Sequence, residues 1–415
     1  MRMRFLVLWA PLLAMTAVAT ASCGGGGSVS SPASSPSAPA PVRTGVAVVS
    51  GKLVTAGTTT PFSPKGLTSV GIVYPTPYAA MLCSSTFQAS PAATSLQQAQ
   101  AALTAPPLAG LSYNASFQAM TQVWKMNTVR LQLSQGALQY EKAHNLSTYT
   151  QMVRDTVAQA RASGLVVILA MQSETYGCSP YENGAEQKLP DVNTEQAWSQ
   201  LLDQTLTSDT GVMLEIFNEP DASLACGLGS ETQPDWTAWA TGCGAEPDQG
   251  MLTVGQYVST LAPNNVLLFD GQGLEFAFQG FTVPAGMPVN AAYTFHPYLY
   301  VFNGTLSGSS TVWDANFGNF AASGHAVVVT EWNEAFKCPT DPGQAITNDF
   351  ILTYLPAHGI GMVGYAWDAP AASNGYLVNS YAFPGNAANY QLVDPNTSGC
   401  AEDGGAVLQQ LFQAS

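Results

Sequence analysis

The chain has 415 residues, enough for two domains of average size or for one large barrel. Only 9% of the residues are charged, and Asp plus Glu outnumber Lys plus Arg by 27 to 12, which leaves a net charge of -15. This balance excludes a nucleic-acid binder, because neutralising phosphates needs clustered Lys and Arg. A hydrophobic fraction of 46% excludes disorder over most of the length. We expect no metal and no cofactor, because the His residues lie far apart, at His144, His296, His325 and His358.

Residues 1–22 are predicted to be a signal peptide. Arg2 and Arg4 give a positively charged start, and residues 5–16 form an apolar stretch that is too short to span a bilayer as a mature helix. The chain is therefore expected to be exported.

Two processing sites compete at the end of this segment. Ala21 closes an ordinary Ala-x-Ala cleavage site, which would release a secreted protein. Cys23 ends a Thr-Ala-Ser-Cys sequence that resembles a bacterial lipobox, although Thr20 stands where Leu is usual. We favour lipidation of Cys23, because six Cys then remain, an even number suited to disulfides. The protein is then a lipoprotein of the bacterial envelope, in the periplasm or at the cell surface.

A linker follows the lipidation site. Residues 23–44 consist almost entirely of Gly, Ser, Pro, Ala and Val, a composition that builds no core. Residues 45–415 are predicted to form a single folded domain. Because no later stretch is long and apolar enough to span a bilayer, we expect membrane contact only through the lipid anchor.

Downstream of residue 45, short β-branched apolar runs alternate with helical patterns. A small hairpin is predicted over residues 47–59, with its turn at Ser50-Gly51. Eight strands follow, several of them continuous apolar runs typical of a parallel sheet buried on both faces, at residues 62–70, 127–133, 165–171, 213–218, 266–270, 291–295, 326–330 and 362–367. Helical periodicity separates them, for example over residues 149–163. These repeats predict one (β/α)8 TIM barrel with extended βα-loops; a doubly wound open sheet is the alternative.

In such a barrel the chemistry lies at the C-terminal ends of the strands. The fourth predicted strand runs into Asn218-Glu219-Pro220 and the seventh into Glu331-Trp332. These strands face each other across the barrel mouth, so both carboxyls are expected to meet at one centre. One Glu after a strand often caps the next helix, but two opposed carboxyls are the minimal apparatus for glycoside hydrolysis.

Five short motifs in chain order resemble glycoside hydrolase family 5, the cellulase family: Thr128-Val129-Arg130, Asn218-Glu219-Pro220, His296-Pro297-Tyr298, Glu331-Trp332 and Ala366-Trp367-Asp368. The resemblance covers most of residues 45–400. It implies that residues 45–415 are the catalytic domain of a retaining β-glycosidase that acts by double displacement on a β-linked polysaccharide or oligosaccharide, with an endo-β-glucanase as the expected type. A mannanase or an exo-acting β-glucosidase of the same family, and a catalytically decayed carbohydrate-binding lipoprotein, are the alternatives. A monomer is expected.

The resemblance also implies a role for each site residue. Glu219 would be the general acid/base and Glu331 the nucleophile, kept ionised by Arg130. Asn218 would hydrogen-bond the sugar 2-hydroxyl, which strengthens in the transition state. The remaining substrate-binding residues implied by the resemblance are His296 and Tyr298, which would orient the carboxylates, Trp332, and Trp367, which would form a flat floor for the sugar ring.

One position departs from the family pattern. After the third strand the family usually carries a His within Asp-x-His, whereas this chain reads Ala170-Met171-Gln172. Gln172 is expected to bind a sugar hydroxyl in place of that His, without the ability to carry charge. The departure bears on the substrate more than on the reaction class.

The Cys residues suggest disulfides between the loops. Trp236 and Trp239, in the large loop after the fourth strand, either line a sugar cleft or pack on a helix face. Sequence alone leaves every connectivity of six Cys open. The pairs that we expect are Cys226–Cys243, Cys338–Cys400 and Cys83–Cys178.

Overall fold

A computed structural model of the chain describes residues 43–69, 114–172, 188–227, 235–244, 249–275, 278–298, 309–332, 348–368 and 404–414. These residues belong to one unit, Pro41–Ser415. The predicted signal peptide, Cys23 and nearly all of the linker lie outside the described residues. So do Cys83, Cys178, Cys338 and Cys400, and their pairing stays a prediction.

The predicted hairpin is present at the start of the described chain. β1 (Val46–Val49) and β2 (Lys52–Thr55) pair in antiparallel fashion. Ser50 and Gly51 both have positive φ, of 50° and 68°, as a two-residue hairpin turn requires. A Cβ at Gly51 would overlap the carbonyl oxygen of Gly324, so this turn also packs closely against the loop before a later strand.

Within the described residues, eight parallel strands close into a barrel, which confirms the (β/α)8 prediction and excludes the open sheet. Closure comes from pairing of the last strand with the first, with Met362 opposite Lys65. All eight predicted runs form strands: β3 (Lys65–Ser69), β4 (Thr128–Ser134), β5 (Val166–Gln172), β6 (Val212–Glu215), β7 (Leu267–Asp270), β8 (Ala291–Phe295), β9 (Val327–Val329) and β10 (Gly361–Asp368).

Helices separate the barrel strands: α1 (Asn114–Gln118), α2 (Gln135–His144), α3 (Thr148–Ala162), α4 (Val192–Leu201), α5 (Gln204–Thr207), α6 (Ala222–Ala225), α7 (Trp236–Thr241), α8 (Gly250–Leu261), α9 (Gln272–Glu275), α10 (Ser310–Trp313), α11 (Asn319–Ala322), α12 (Leu355–Ala357) and α13 (Gly404–Gln413). The helix predicted over 149–163 is α3. Three π-helical segments, Ala119–Val123, Asp314–Gly318 and Asp349–Tyr354, were not predicted. In the part of the chain that the structure describes, no helix has both the length and the apolarity to cross a membrane.

Alternate strand residues divide between two apolar cores. Ile168, Met213 and Leu268 belong to a cluster inside the barrel, whereas their neighbours along the strands pack against the helices. The hairpin contributes Val46 and Leu53 to the inner cluster. Because Val46 N–H also donates to the carbonyl of the loop that enters β6, at 2.9 Å, the hairpin closes the N-terminal end of the barrel. The opposite end is left for polar side chains.

One strand boundary differs from the prediction in a way that shapes the site. β6 ends at Glu215, three residues before the predicted end at Asn218. The backbone continues between its neighbours, because Ile216 N–H donates to the β7 carbonyl of Leu268 and Asn218 N–H to the β5 carbonyl of Met171. The chain then turns, placing the next residue beyond the sheet.

Candidate active site

Arg130 is the centre of a buried polar network at the C-terminal end of the barrel. It lies in β4, and its guanidinium is fully buried. It forms a bidentate pair with Glu215, with Nε donating to Oε2 at 2.7 Å and Nη2 to Oε1. Nη1 donates to Glu331 at 2.6 Å and Nη2 to Asn218 Oδ1 at 2.6 Å. One guanidinium therefore joins two carboxylates and an amide from the ends of two strands, β6 and β9.

Glu331 lies just beyond β9 and accepts hydrogen bonds on both oxygens. Arg130 and Gln132 donate to Oε1, the latter at 3.0 Å, and the Tyr298 hydroxyl donates to Oε2 at 2.8 Å. Burial alone would raise the pKa of Glu331. The charges of His296 and Arg130, together with these hydrogen bonds, outweigh burial and hold the pKa below its ordinary value of 4.5. Glu331 is therefore ionised at neutral pH.

His296 and Tyr298 follow β8 and connect the two carboxyls that the sequence singled out. His296 Nδ1 lies 2.9 Å from Glu219 Oε1, and its Nε2 lies 3.2 Å from Thr330 Oγ1. Burial, reinforced by the charges of Glu331 and Glu219, raises the pKa of Tyr298 well above its ordinary value. Tyr298 therefore stays protonated and remains a donor to Glu331.

Glu219 lies four residues beyond the end of β6 and is partly exposed. Its φ of 52° places it in the left-handed region, which residues with a Cβ rarely adopt. Its backbone N–H donates to Asp270 Oδ2 at 3.2 Å. Its side chain and that of Glu331 face each other, so that one oxygen of each, together with a nitrogen of His296, lie within 4.8 Å of one another.

These three residues are also the group in the described part of the chain whose ligand atoms are close enough to hold a metal ion. However, Glu331 already accepts from Arg130, Gln132 and Tyr298, and a cation would compete with the guanidinium for the same carboxylate. The donors around Glu331 suit an ionised carboxylate held by side chains better than a metal ligand.

The structure places the other predicted site residues at strand ends without joining them to this network by the contacts described. Gln172 closes β5 and is buried, and its Nε2 has no hydrogen-bond partner within the described residues. Trp332 is fully buried, and its indole N–H is likewise without a partner there. Trp367 is 1% exposed, donates to Ser116 Oγ at 2.7 Å and contacts Trp124 edge to face. The roles of all three in sugar binding stay predictions.

The large loop after β6 contains the disulfide that was predicted between Cys226 and Cys243. Trp236 and Trp239 in this loop form an edge-to-face pair with ring centroids 5.8 Å apart. Trp239 is fully buried, and its indole N–H donates to the carbonyl of Asp270 at 2.9 Å. Of the two interpretations left open for this pair, helix packing is therefore the one that the structure supports.

Three residues of the network were missed by reasoning from the sequence. Glu215 interrupts an apolar strand, and Gln132 lies two positions after Arg130, on the same face of β4. Asp270 closes the fifth barrel strand, where chemistry in this fold is expected. Each carried a readable signal, namely a polar side chain in an otherwise apolar run or at a strand end.

The fold and the site together define a class of protein. A closed (β/α)8 barrel presents, at the C-terminal ends of its strands, one carboxylate held ionised by an arginine and a second carboxyl bonded to a histidine. Paired carboxyls at this spacing are the apparatus for acid–base cleavage of glycosidic bonds.

Comparisons with known proteins agree. Residues 94–370 match the family described as Cellulase (glycosyl hydrolase family 5), about two thirds of the chain. The chain therefore belongs to glycosyl hydrolase family 5. A comparison with curated proteins gave no match.

Solved structures share the fold at low sequence identity. A β-glucanase from Saccharophagus degradans is similar with a TM-score of 0.59 and 14% identity, over 90% of this chain and 94% of that one. An endoglucanase catalytic domain from Thermobifida fusca has a TM-score of 0.54 and 17% identity, over 89% and 97%. A β-mannanase from Streptomyces thermolilacinus has a TM-score of 0.51 and 16% identity, over 84% and 92%.

Proposed function

We propose that the chain is a retaining β-glycosidase, of the endo-β-glucanase type, that cleaves a β-linked polysaccharide or oligosaccharide by double displacement. The observation that carries the proposal is the approach of Glu219 and Glu331, whose nearest ligand oxygens lie within 4.8 Å across the barrel mouth. Carboxyls of retaining enzymes are about 5–5.5 Å apart, whereas inverting enzymes separate them by about 6.5–9.5 Å to admit a water. Two carboxyl oxygens within 4.8 Å of each other leave less room for an intervening water than the inverting arrangement needs, which favours the retaining geometry.

In the first step, Glu331 attacks the anomeric carbon and Glu219 protonates the leaving oxygen. Arg130 keeps the nucleophile ionised, and Tyr298 holds the other oxygen of the same carboxylate. The Oδ1 atom of Asn218 accepts from Arg130, which turns the amide NH2 group toward the remaining space as a donor for the sugar 2-hydroxyl.

In the second step, Glu219 has lost its proton and serves as the general base. It activates a water that displaces Glu331 from the glycosyl-enzyme intermediate, and the anomeric configuration is retained. His296 Nδ1 lies 2.9 Å from Glu219 Oε1 and 3.9 Å from Glu331 Oε2. Its ring therefore contacts Glu219 directly and lies close to Glu331 in both steps.

Two substrates have support from solved relatives. The Saccharophagus degradans β-glucanase has a solved complex with cellotetraose, which favours a β-glucan. The Streptomyces thermolilacinus β-mannanase has one with mannohexaose, which makes mannan the second candidate. Gln172, a neutral donor where the family usually has a His, is the residue that we expect to shift preference between them.

Hydrolysis of a panel of β-linked oligosaccharides tests the proposal. The purified domain is incubated with cello-, laminari- and manno-oligosaccharides, and the first product anomer is read by NMR. We expect release of the β-anomer from one series. Release of the α-anomer would contradict double displacement, and binding without turnover would favour the decayed carbohydrate-binding alternative.

We further propose that the chain is exported and anchored through a lipid on Cys23, with residues 23–44 as a tether and residues 45–415 as the catalytic domain. The support is the sequence of the first 44 residues alone. Metabolic labelling with a fatty acid in a bacterial host tests the anchor. Label that disappears in Cys23→Ser supports lipidation, and unlabelled protein in the medium supports cleavage after Ala21.

A further inference from the structure

The backbone of Glu219 is held in an unusual conformation by a residue that the chemistry has not yet used. A φ of 52° is uncommon for a residue with a Cβ and persists only where surrounding contacts enforce it. Among the described contacts of Glu219, the one to its backbone is the hydrogen bond from its N–H to Asp270 Oδ2, at 3.2 Å.

Asp270 is itself fixed on several sides. It closes β7 and is fully buried. Its Oδ1 accepts from the Thr294 hydroxyl at 2.7 Å, and its carbonyl accepts from the Trp239 indole N–H at 2.9 Å. Burying a carboxylate costs free energy unless hydrogen bonds satisfy it, which indicates that Asp270 is kept here for a group that it positions. The partner on the mouth side is Glu219.

We propose that Asp270 is a positioning residue for Glu219, holding the backbone of Glu219 in the left-handed conformation from which its carboxyl meets His296 and faces Glu331. The inference rests on the proposed function, because it assigns to Glu219 the proton donated to the leaving group. Trp239 lies on α7, inside the loop closed by Cys226–Cys243, and its hydrogen bond to the Asp270 carbonyl links Asp270 to that loop.

Positioning has a chemical signature that a purely structural role lacks. Proton donation matters most when the leaving group is poor, since a good leaving group departs as an anion without help. Loss of the Asp270 hydrogen bond therefore lowers kcat/KM for a poor leaving group far more than for a good one. The kcat/KM value reports the first, glycosylating step for both.

The test compares 2,4-dinitrophenyl and phenyl glycosides of cellobiose, or of mannobiose if the panel selects mannan. Asp270→Ala removes the acceptor. Asp270→Asn keeps the shape and one acceptor oxygen for Glu219 N–H, while its amide NH2 donates to Thr294. Asp203→Asn, the same change at the residue that caps α5 and pairs with Arg154, is the matched control, and melting temperatures are measured for all.

We expect Asp270→Ala to lower kcat/KM for the phenyl glycoside by roughly 10- to 100-fold, less than the roughly 10²- to 10⁴-fold that complete loss of a general acid costs, and for the dinitrophenyl glycoside by less than about three-fold. Asp270→Asn should keep the wild-type ratio between the two substrates. Equal loss on both substrates, or no loss, in a folded Asp270→Ala overturns the proposal.

Should Asp270→Ala fail to fold, Asp270→Leu, which has nearly the shape of the original side chain but no acceptor, takes its place. A loss confined to the phenyl glycoside supports the hydrogen-bond role, and equal loss on both substrates, or no loss, overturns it. Failure of the wild type on every glycoside contradicts the proposed function instead, so the two claims fail separately.

Discussion

Two buried arginines lie at opposite ends of the barrel and form different kinds of network. At the closed end, Arg161 pairs with Asp209, both contacts at 2.9 Å, and donates to the backbone carbonyls of Leu165 and Thr44. At the mouth, Arg130 donates hydrogen bonds to the buried carboxylates of Glu215 and Glu331 and to the side-chain amide oxygen of Asn218. Arg161 therefore joins chain segments at the closed end, whereas Arg130 binds charged side chains at the mouth.

The difference separates stability from chemistry. Arg161 bonds the segment that enters β1 to the segment that enters β5, which fixes the hairpin on the barrel. A buried ion pair adds little over an apolar pair of the same size, so two carboxylates on one buried guanidinium are poorly explained by stability. The network at the mouth is explained by the need for one ionised carboxylate beside a second carboxyl.

The largest effect is expected from Glu331→Gln. Removal of the nucleophile should lower kcat by at least about 10⁴-fold, as for other residues that form covalent intermediates. Arg130 retains Glu215, so the melting temperature should change little. Steady-state kinetics and calorimetry check both, and a variant with full activity would remove Glu331 from the mechanism.

The next largest effect is expected from Arg130→Lys. A lysine cannot contact Glu215, Glu331 and Asn218 in the planar geometry of a guanidinium. We expect a loss of about 10²-fold in kcat/KM, together with a shift of the acid limb of the pH profile to higher pH, because Glu331 loses part of what lowers its pKa. A profile that keeps the wild-type acid limb would show that Arg130 does not set the ionisation of Glu331.

Arg161→Ala tests the other end of the comparison. Asp209 keeps the hydrogen bond from Gly211 N–H but loses its charged partner, and two carbonyls lose the donors that Arg161 supplies. The free energy of unfolding should fall by about 2–3 kcal/mol while kcat stays at the wild-type value. Arg154→Ala, whose partner Asp203 is more exposed, is the matched control and should cost about 1 kcal/mol. A large loss of kcat in folded Arg161→Ala would mean that the two ends are coupled.

The smallest expected effect is a loss of stability at acid pH. Burial raises the pKa of Asp209, but hydrogen bonds from Arg161 and Gly211 and the charge of Arg161 hold it below its ordinary value of 3.8. Its contribution to stability is therefore present above pH 3.8 and is lost as the pH falls through the lowered folded-state pKa. Melting temperatures between pH 7 and pH 3 should fall at the acid end, and the slope should be shallower in Arg161→Ala.

The pH dependence of activity should follow the ionisation of Glu331, with activity lost as the pH falls. Because its pKa lies below 4.5, the acid limb of kcat/KM is expected below that pH. An acid limb near pH 6 in the wild type would contradict the assignment of Glu331 as the ionised carboxylate.

Much of the barrel could be predicted from the sequence, because buried parallel strands are continuous apolar runs and their ends are therefore visible. The positions of Arg130, Glu219 and Glu331 followed from the strand ends and the family motifs. The pairing of Arg130 with Glu331 and of His296 and Tyr298 with the carboxyls was implied by the family resemblance. The contacts of Glu215, Gln132 and Asp270 were not, because sequence spacing carries no information on which side chains meet across the barrel. Glu215 was absorbed into an apolar strand, although it is the residue that holds Arg130 most directly.

The local backbone was less predictable still. The early end of β6 and the left-handed Glu219 depend on contacts from β7 and β5, which are distant in sequence. The three π-helical segments likewise lack a sequence signal of the kind used for α-helices.

Trapping the glycosyl-enzyme tests the central claim most directly. The protein is treated with the 2,4-dinitrophenyl 2-deoxy-2-fluoro glycoside of the disaccharide that it hydrolyses, and peptides are mapped by mass spectrometry. We expect one added disaccharide, on Glu331, in the wild type and in Asp203→Asn. A label on another residue, or no label in an enzyme that turns over the parent glycoside, would contradict it.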